Sequence, residues 1–232
     1  MKNILLIGGS YGIGLAIAKE LQFENNVYIA SRSNENLADL KAIHIPFDAS
    51  TDVLDSSKLP TVIDGLVYCP GSINLRPFKG IKPEAFESDL QINFISLVKV
   101  IQTVLPNLLA SEQASIVTFS SVAASMGMPF HTSVSAAKGA IEGFAKALAA
   151  EYAPKIRVNV IAPSLTDTPL ADKFLNNETK QEKSAERHPL KRFGKPEDSA
   201  QMATFLLSDK SSWISGQIFH VDGGMSTLLV NG

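Results

Sequence analysis

Two rhythms of apolar and polar residues alternate along this chain, short uninterrupted apolar runs and longer stretches with helical spacing. Ile4-Leu5-Leu6-Ile7 is apolar at four successive positions, the pattern of a strand covered on both faces. Ile13, Ile17 and Leu21 then recur on one helical face and predict a helix over 13–23. Val27 to Ala30 and Ala42 to Phe47 read as strands two and three, with room for only a short helix over 34–41. Leu66 to Tyr68 and Ile116 to Phe119 read as strands four and five, and the stretch 83–109 between them is long enough for two helices, Pro83 suiting a first turn. Alanine-rich 133–152 predicts a long, closely packed helix, Ile156 to Ile161 strand six, 196–207 a helix and Ile218 to Val221 the last strand. Such alternation predicts an α/β protein with a mostly parallel sheet and helices on both faces. A single domain over 1–232 is expected, since only 167–192, polar and charged, stands apart, as a flexible lid or a plain surface excursion.

Composition narrows the partners. A net charge of -2 and a pI near 6.1 leave no electrostatic footprint for nucleic acid, and the scattered aromatics form no stacking platform. The single cysteine, Cys69, excludes an internal disulfide and a cysteine-cluster metal site; the four histidines are dispersed, so no metal is expected. Nothing cationic adjoins Cys69 in the sequence, and both Cys69 and Tyr68 read as strand packing. After Met1-Lys2-Asn3 no signal-like apolar stretch follows, and the apolar runs fall short of a bilayer span. A cytoplasmic protein with no membrane partner is the expectation.

Gly8-Gly9-Ser10-Tyr11-Gly12-Ile13-Gly14 lies directly between the first strand and the first helix. Glycines let the backbone turn sharply and approach a phosphate closely, and the helix start offers free N–H groups and the positive end of its dipole. Placed at the first strand-to-helix turn of an alternating chain, this predicts a doubly wound Rossmann-type fold that holds the pyrophosphate of a nicotinamide dinucleotide.

The spacing of Gly8, Gly12 and Gly14 resembles the turn of the short-chain dehydrogenase/reductase family, and ordered matches run along nearly the whole chain. Asp48 resembles the family's adenine-contacting aspartate, Asn93 its helical asparagine, Ser121 its catalytic serine and Lys138 its catalytic lysine. Asn159 to Pro163 resembles the segment leading to the nicotinamide, with Thr168 at the threonine that contacts the carboxamide. Pro189 to Glu197 and Gly216 to Gly224 resemble the C-terminal signatures. Two departures are visible: the family's asparagine-rich turn after strand four is Tyr68-Cys69-Pro70-Gly71, keeping only the glycine, and its Pro-Gly pair after strand six is Pro163-Ser164. The resemblance implies cofactor contacts from Gly8, Ser10, Tyr11, Gly12, Ile13, Gly14, Ser31, Arg32, Ser33, Asp48, Ala49, Gly71, Lys138, Pro163, Thr166 and Thr168. It also implies a small-molecule substrate and a homodimer or homotetramer assembled through the long helices, where Gly139, Ala140, Gly143 and Ala147 would allow close approach.

An acidic residue ending strand two would bind the adenosine ribose and repel a 2′-phosphate. Ser31-Arg32-Ser33 stands there instead, and a guanidinium between hydroxyls suits a phosphate dianion. NADP(H) is therefore favoured over NAD(H).

The catalytic segment holds an anomaly. The family's tyrosine should lie four residues before Lys138, but that residue is Val134, thirteen after Ser121 as the tyrosine would be. Three explanations remain open. His131, seven residues or about two helical turns before Lys138, could donate the proton; the interval resembles that of the tyrosine in the family's enoyl-reductase branch, with histidine in its place. A water held by Ser121, Asn93 and Lys138 could relay the proton. Alternatively, the chain could keep the cofactor fold as a sensor or partner-binding protein without hydride chemistry. The candidate catalytic residues are Ser121, Lys138, Asn93 and His131, acting on a small carbonyl compound or an activated alkene.

Overall fold

The computed structural model describes residues 1–230. Seven strands, β1 (Lys2–Ile7), β2 (Asn25–Ser31), β3 (Ala42–Pro46), β4 (Gly65–Tyr68), β5 (Ala114–Phe119), β6 (Ile156–Pro163) and β7 (Ile218–Val221), form one sheet in the order β3-β2-β1-β4-β5-β6-β7. Every pairing is parallel. The chain moves outward from β1 to β3, returns to place β4 on the other side of β1, and then proceeds to β7. The doubly wound architecture follows, with its switch point between β1 and β4.

Side chains alternate across a strand with period two, so the continuous apolar run of β1 feeds two cores. Leu5 and Ile7 join Leu97, Val104, Ile116 and Ile141 on one face of the sheet; Ile4 and Leu6 join Ile17, Val67, Val117 and Ala203 on the other. Helices α1 (Gly12–Leu21) and α7 (Pro196–Leu207) cover the second face. The first is covered by α3 (Ser96–Leu109) and α4 (Thr132–Tyr152).

Three expectations need correction. No helix forms over 34–41, which makes successive turns (Leu37 N–H to Asn34 O, 3.0 Å, and Leu40 N–H to Leu37 O, 3.0 Å). With Asn34, Asn36 and Asp39 in so short a segment, side chains compete for the backbone and only Leu37 is buried. Second, the two helices expected over 83–109 are one continuous helix: α2 (Pro83–Leu90) runs into α3 through a π-turn at Gln91–Ile95. Third, this helix, Pro83–Leu109, is long and apolar enough to cross a bilayer (mean hydropathy 1.5). Its apolar stripe, Leu97, Val100, Ile101, Val104 and Leu108, is instead spent on the sheet.

The segment after β6 returns to the sheet through a bridge between Thr166 and Gly194. It carries the short helix α5 (Asp172–Leu175) and then α6 (Glu178–Glu186).

One buried cation ties the far end of the sheet. Arg157 in β6 is 4 % exposed and donates to the carbonyls of Leu206 and Ser211 (both 3.0 Å), Ser208 (3.2 Å) and Ile214 (3.4 Å). The guanidinium thus satisfies the orphan carbonyls at the end of α7, where a positive charge also suits the helix dipole. Replacing it by leucine leaves those acceptors buried without a donor. Arg157→Leu is expected to lose at least about 2 kcal/mol of stability in urea, and an unchanged unfolding midpoint would refute the role.

Candidate functional site

β1 ends at the glycine turn, where the Gly8 N–H is tied to the Ala30 carbonyl at 2.8 Å. Tyr11 then enters α1 in extended conformation, gives it no side-chain cap, and is followed by no acidic residue in the first turn. The first N–H groups of α1 are therefore left without a side-chain acceptor, the arrangement that receives an anion. Gly12 has a φ of +52°, and a Cβ there would stand 3.1 Å from Thr168 Cγ2; a Cβ on Gly14 would collide with the Gly8 carbonyl oxygen. The turn is a cradle that side chains would fill. Thr168, distant in sequence, rests against it.

At the end of β2, Ser31 Oγ donates to the Ser33 carbonyl (2.9 Å) and His44 Nε2 lies 3.0 Å from the Ser31 carbonyl. Arg32 is exposed and makes no ion pair among the described residues. Tyr11 reaches across the turn to donate to Glu35 (2.9 Å). Asp48 and Ala49 follow β3 on the same side, where the Asp48 carboxylate accepts from the Ser50 N–H (2.8 Å).

Beyond the turn a cavity of about 460 Å³ opens at the carboxyl ends of β4, β5 and β6. Its lining joins the residues singled out in sequence: Ile13, Gly71, Ser121, His131, Val134, Lys138, Pro163, Thr166 and Thr168. Ser121 caps a 3-10 turn, its Oγ accepting from Ala123 N–H (3.2 Å), which leaves the hydroxyl proton for another acceptor. Val134, 4 % exposed, gives the cavity a hydrocarbon wall where a phenol was expected.

Lys138 is buried and donates to the Phe119 carbonyl at 2.8 Å. Burial disfavours the ammonium and lowers its pKa to about 8, against partial support from Cys69 and Asp89. Cys69 lines the same cavity beside Lys138, so the expectation that nothing cationic neighbours it is corrected. Residues 69 positions apart are brought together by the pairing of β4 with β5 and the packing of α4 on that sheet. Burial still dominates the thiol, pushing it up to about 12, so at neutral pH it is no nucleophile. Tyr68 is buried and donates to the Ile92 carbonyl (2.7 Å), a packing role as read from sequence.

His131 stands one residue before α4, so the helix does not begin until Thr132. Its carbonyl still accepts from Ser135 N–H (2.8 Å), which keeps the residue in helical register with Lys138. Nδ1 lies 2.7 Å from the Pro129 carbonyl, and a carbonyl only accepts, so Nδ1 carries a proton and Nε2 is left to exchange.

The π-turn places Asn93 in the interior, at 0 % exposure. Its Nδ2 donates to the Asp89 carbonyl (2.8 Å) and to Ser72 Oγ (2.9 Å), while Oδ1 has no partner among the described residues. A Cβ on Gly71 would lie 2.9 Å from that oxygen and 3.3 Å from Lys138 Nζ. Glycine there keeps the free acceptor and the ammonium close together.

Asp89 was not singled out in sequence. Fully buried, its carboxylate accepts from Ser72 Oγ (2.5 Å), Asn74 Nδ2 (2.7 Å) and Ser133 Oγ (2.6 Å). An aspartate on the inward side of a helix was the available signal. Lys173, Lys180, Lys183 and Arg187 also escaped notice, yet all line the cavity.

Comparison with known proteins comes to the same place. Residues 8–226 match a family profile described as enoyl-(acyl carrier protein) reductase. The chain is 33% identical to a 3-oxoacyl-(acyl-carrier-protein) reductase, FabG, of Thermotoga maritima, over 97% of each. It is 31% identical to 2-(S)-hydroxypropyl-CoM dehydrogenase 3 of Xanthobacter autotrophicus, over 98% of each. Among solved structures, the ligand-free aldohexose dehydrogenase of Thermoplasma acidophilum superimposes with a TM-score of 0.90 at 28% identity, covering 100% of this chain and 96% of that one.

The buried lysine has a thermodynamic signature. Its pKa is about 8 when folded, against an ordinary 10.5, so between those values the unfolded chain binds a proton that the folded chain does not. Stability therefore rises with pH across that window. Relative to Lys138→Met, the wild type should gain about 2–4 kcal/mol between pH 8 and 10.5 in urea titrations; a flat difference would show that the ammonium is not desolvated.

Proposed function

Because the chain belongs to the short-chain dehydrogenase/reductase family, a family of nicotinamide-dependent oxidoreductases, we propose that it is an NADP(H)-dependent reductase with a proton donor other than the family's tyrosine. Its substrate is a small carbonyl compound or an activated alkene. The observation that carries this reading is a single cavity lined together by Ser121, Lys138 and His131, with Val134 closing the tyrosine position.

The residues fit the cofactor. The uncapped start of α1, from Gly12 to Gly14, would receive the pyrophosphate, with Gly8, Ser10 and Tyr11 shaping the approach. Ser31, Arg32 and Ser33 would take a 2′-phosphate, Arg32 having no other charge to satisfy among the described residues and Glu35 being occupied by Tyr11. Asp48 and Ala49 would flank the adenine, Lys138 and Gly71 the nicotinamide ribose, and Pro163, Thr166 and Thr168 the nicotinamide. When bound, that cofactor supplies the hydride.

The chain's own part is to orient the substrate and move a proton. Ser121, whose hydroxyl proton is uncommitted, donates to the substrate oxygen. His131, with a proton on each ring nitrogen, then gives the Nε2 proton to that oxygen and is left neutral, its Nδ1–H still on the Pro129 carbonyl. Lys138 and the free Oδ1 of Asn93 favour a second route, a water relay at the same oxygen. The relatives are named for carbonyl reduction or alcohol oxidation, and the matching profile for enoyl reduction, which supports both substrate classes. Assembly as a homodimer or homotetramer belongs to the same reading, with open space around Gly139 and Gly143 on α4.

Two measurements test the proposal. Arg32→Glu should weaken NADPH far more than NADH in fluorescence titrations, because a like charge would face the 2′-phosphate; an equal loss for both would remove the assignment. Val134→Tyr would place a phenol one helical turn from Lys138. A ring there costs about 1–3 kcal/mol where packing is tight, less where it projects into the cavity that Val134 lines. The variant should gain about 10²–10⁴-fold in reduction of activated ketones. Loss of wild-type turnover in His131→Phe identifies the histidine, and its persistence identifies the water relay. A folded, cofactor-binding Val134→Tyr protein with no gain on a broad ketone panel would instead support a cofactor sensor.

A further inference from the structure

Every charged side chain lining the cavity is a cation. Lys138 belongs to the buried end already described; Lys173, Lys180, Lys183 and Arg187 come from the segment that follows β6, and no aspartate or glutamate takes part. Composition does not explain the bias. Along α6 and the residue after it, Glu178, Glu182 and Glu186 are interspersed with Lys180, Lys183 and Arg187, three of each sign. At about 100° per residue the three cations fall within about 60° of one another, and the carboxylates centre about 130° away. The helical period thus puts the basic stripe, itself exposed to solvent, along the cavity wall and leaves the acidic stripe, equally exposed, outside it.

Two of these cations, Lys183 and Arg187, are not spent on neighbours. None of the four makes an ion pair among the described residues. Lys173 Nζ donates to the Ile73 carbonyl (2.8 Å), and Lys180 Nζ to the Lys173 carbonyl and Asn176 Oδ1 (both 2.8 Å). Lys183 and Arg187 make no side-chain hydrogen bond among the described residues. Much of the remaining wall is hydrocarbon, including Ile73, Leu75, Val134 and Leu170. A ligand complementary to this cavity has an apolar body and a negatively charged end.

We propose that the substrate carries an anionic group, a carboxylate or a phosphate, remote from the reacting carbonyl and held by Lys183 and Arg187. This rests on the reductase reading and adds its substrate class. A guanidinium beside an ammonium suits either group, the first by bidentate hydrogen bonding and the second as a point charge. The competing use of these cations is to neutralise the cofactor's own phosphates, and that use predicts a different result.

The test is binding without turnover, with the protein saturated in oxidised cofactor so that a ketone cannot be reduced. Two matched pairs serve as probes in calorimetry at 150 mM salt: 4-oxopentanoate against its methyl ester, and dihydroxyacetone phosphate against dihydroxyacetone. At least one anion should bind about tenfold more tightly than its neutral partner, and the pair that discriminates tells carboxylate from phosphate. Lys183→Glu with Arg187→Glu should erase the preference, and the paired glutamine variant should reduce it, with cofactor affinity changed less than twofold in both. The proposal is overturned if neither anion is preferred, if the preference survives charge reversal, or if reversal weakens the cofactor itself as much. An anion preference without NADPH turnover of that anion would keep this site and remove the reductase reading; turnover of both members of each pair without preference would do the opposite.

Discussion

A sheet whose strands all run parallel must bring the chain back after each strand, and that one constraint organises this protein. Each return leaves a strand at its carboxyl end, so the turns that follow gather on a single edge. With helices covering both faces, the edge alone stays open, and it gapes where the winding reverses between β1 and β4. The glycine turn after β1, the Cys69-Pro70-Gly71 turn after β4, Ser121 after β5 and the Pro163–Thr168 segment after β6 are all products of that geometry. They line one cavity because the sheet lets them lie nowhere else.

Chemistry at this edge requires polar groups in places that burial opposes. Lys138 loses its hydration and keeps one carbonyl hydrogen bond, with some help from the Asp89 charge. Asp89 in turn is held by three neutral donors rather than a counterion. Asn93, carried inward by the π-turn at Gln91–Ile95, donates to the Asp89 carbonyl and keeps its Oδ1 without a partner among the described residues. With valine where a phenol was expected, this polar network remains but its outlet changes. Ser121 and His131 line the cavity near that valine, one from the end of β5 and one from the entry of α4.

Much of this was readable in advance, and the reason is local. The apolar run of β1, the spacing of the glycines, and the intervals from Ser121 to Val134 to Lys138 are patterns within one strand, one turn or one helix, where period and position determine which side chains share a face. The errors were of a different kind. A short segment rich in asparagine and aspartate was read as a helix when its side chains favoured turns. A π-turn, which leaves no periodic mark in a few residues, was read as a break between two helices. The charges after β6 were read as a polar excursion, although the spacing of Lys180, Lys183 and Arg187 already placed them on one stripe.

By itself the sequence determined the alternation of strands and helices, the glycine turn between β1 and α1, and the identity of the side chains that face each other along α4. It also placed Val134 four residues before Lys138 and thirteen after Ser121, since that depends only on spacing. Tertiary structure alone decided which distant segments meet. Ser133 reaches Asp89 across 44 residues and Lys173 reaches the Ile73 carbonyl across 100, and no local period encodes either pairing. Cys69 became the neighbour of Lys138, and a charged helix set its exposed cations along the cavity wall, for the same reason. Which faces meet is settled when the apolar stripes of all the helices are buried on one sheet at once, and that is a property of the whole chain.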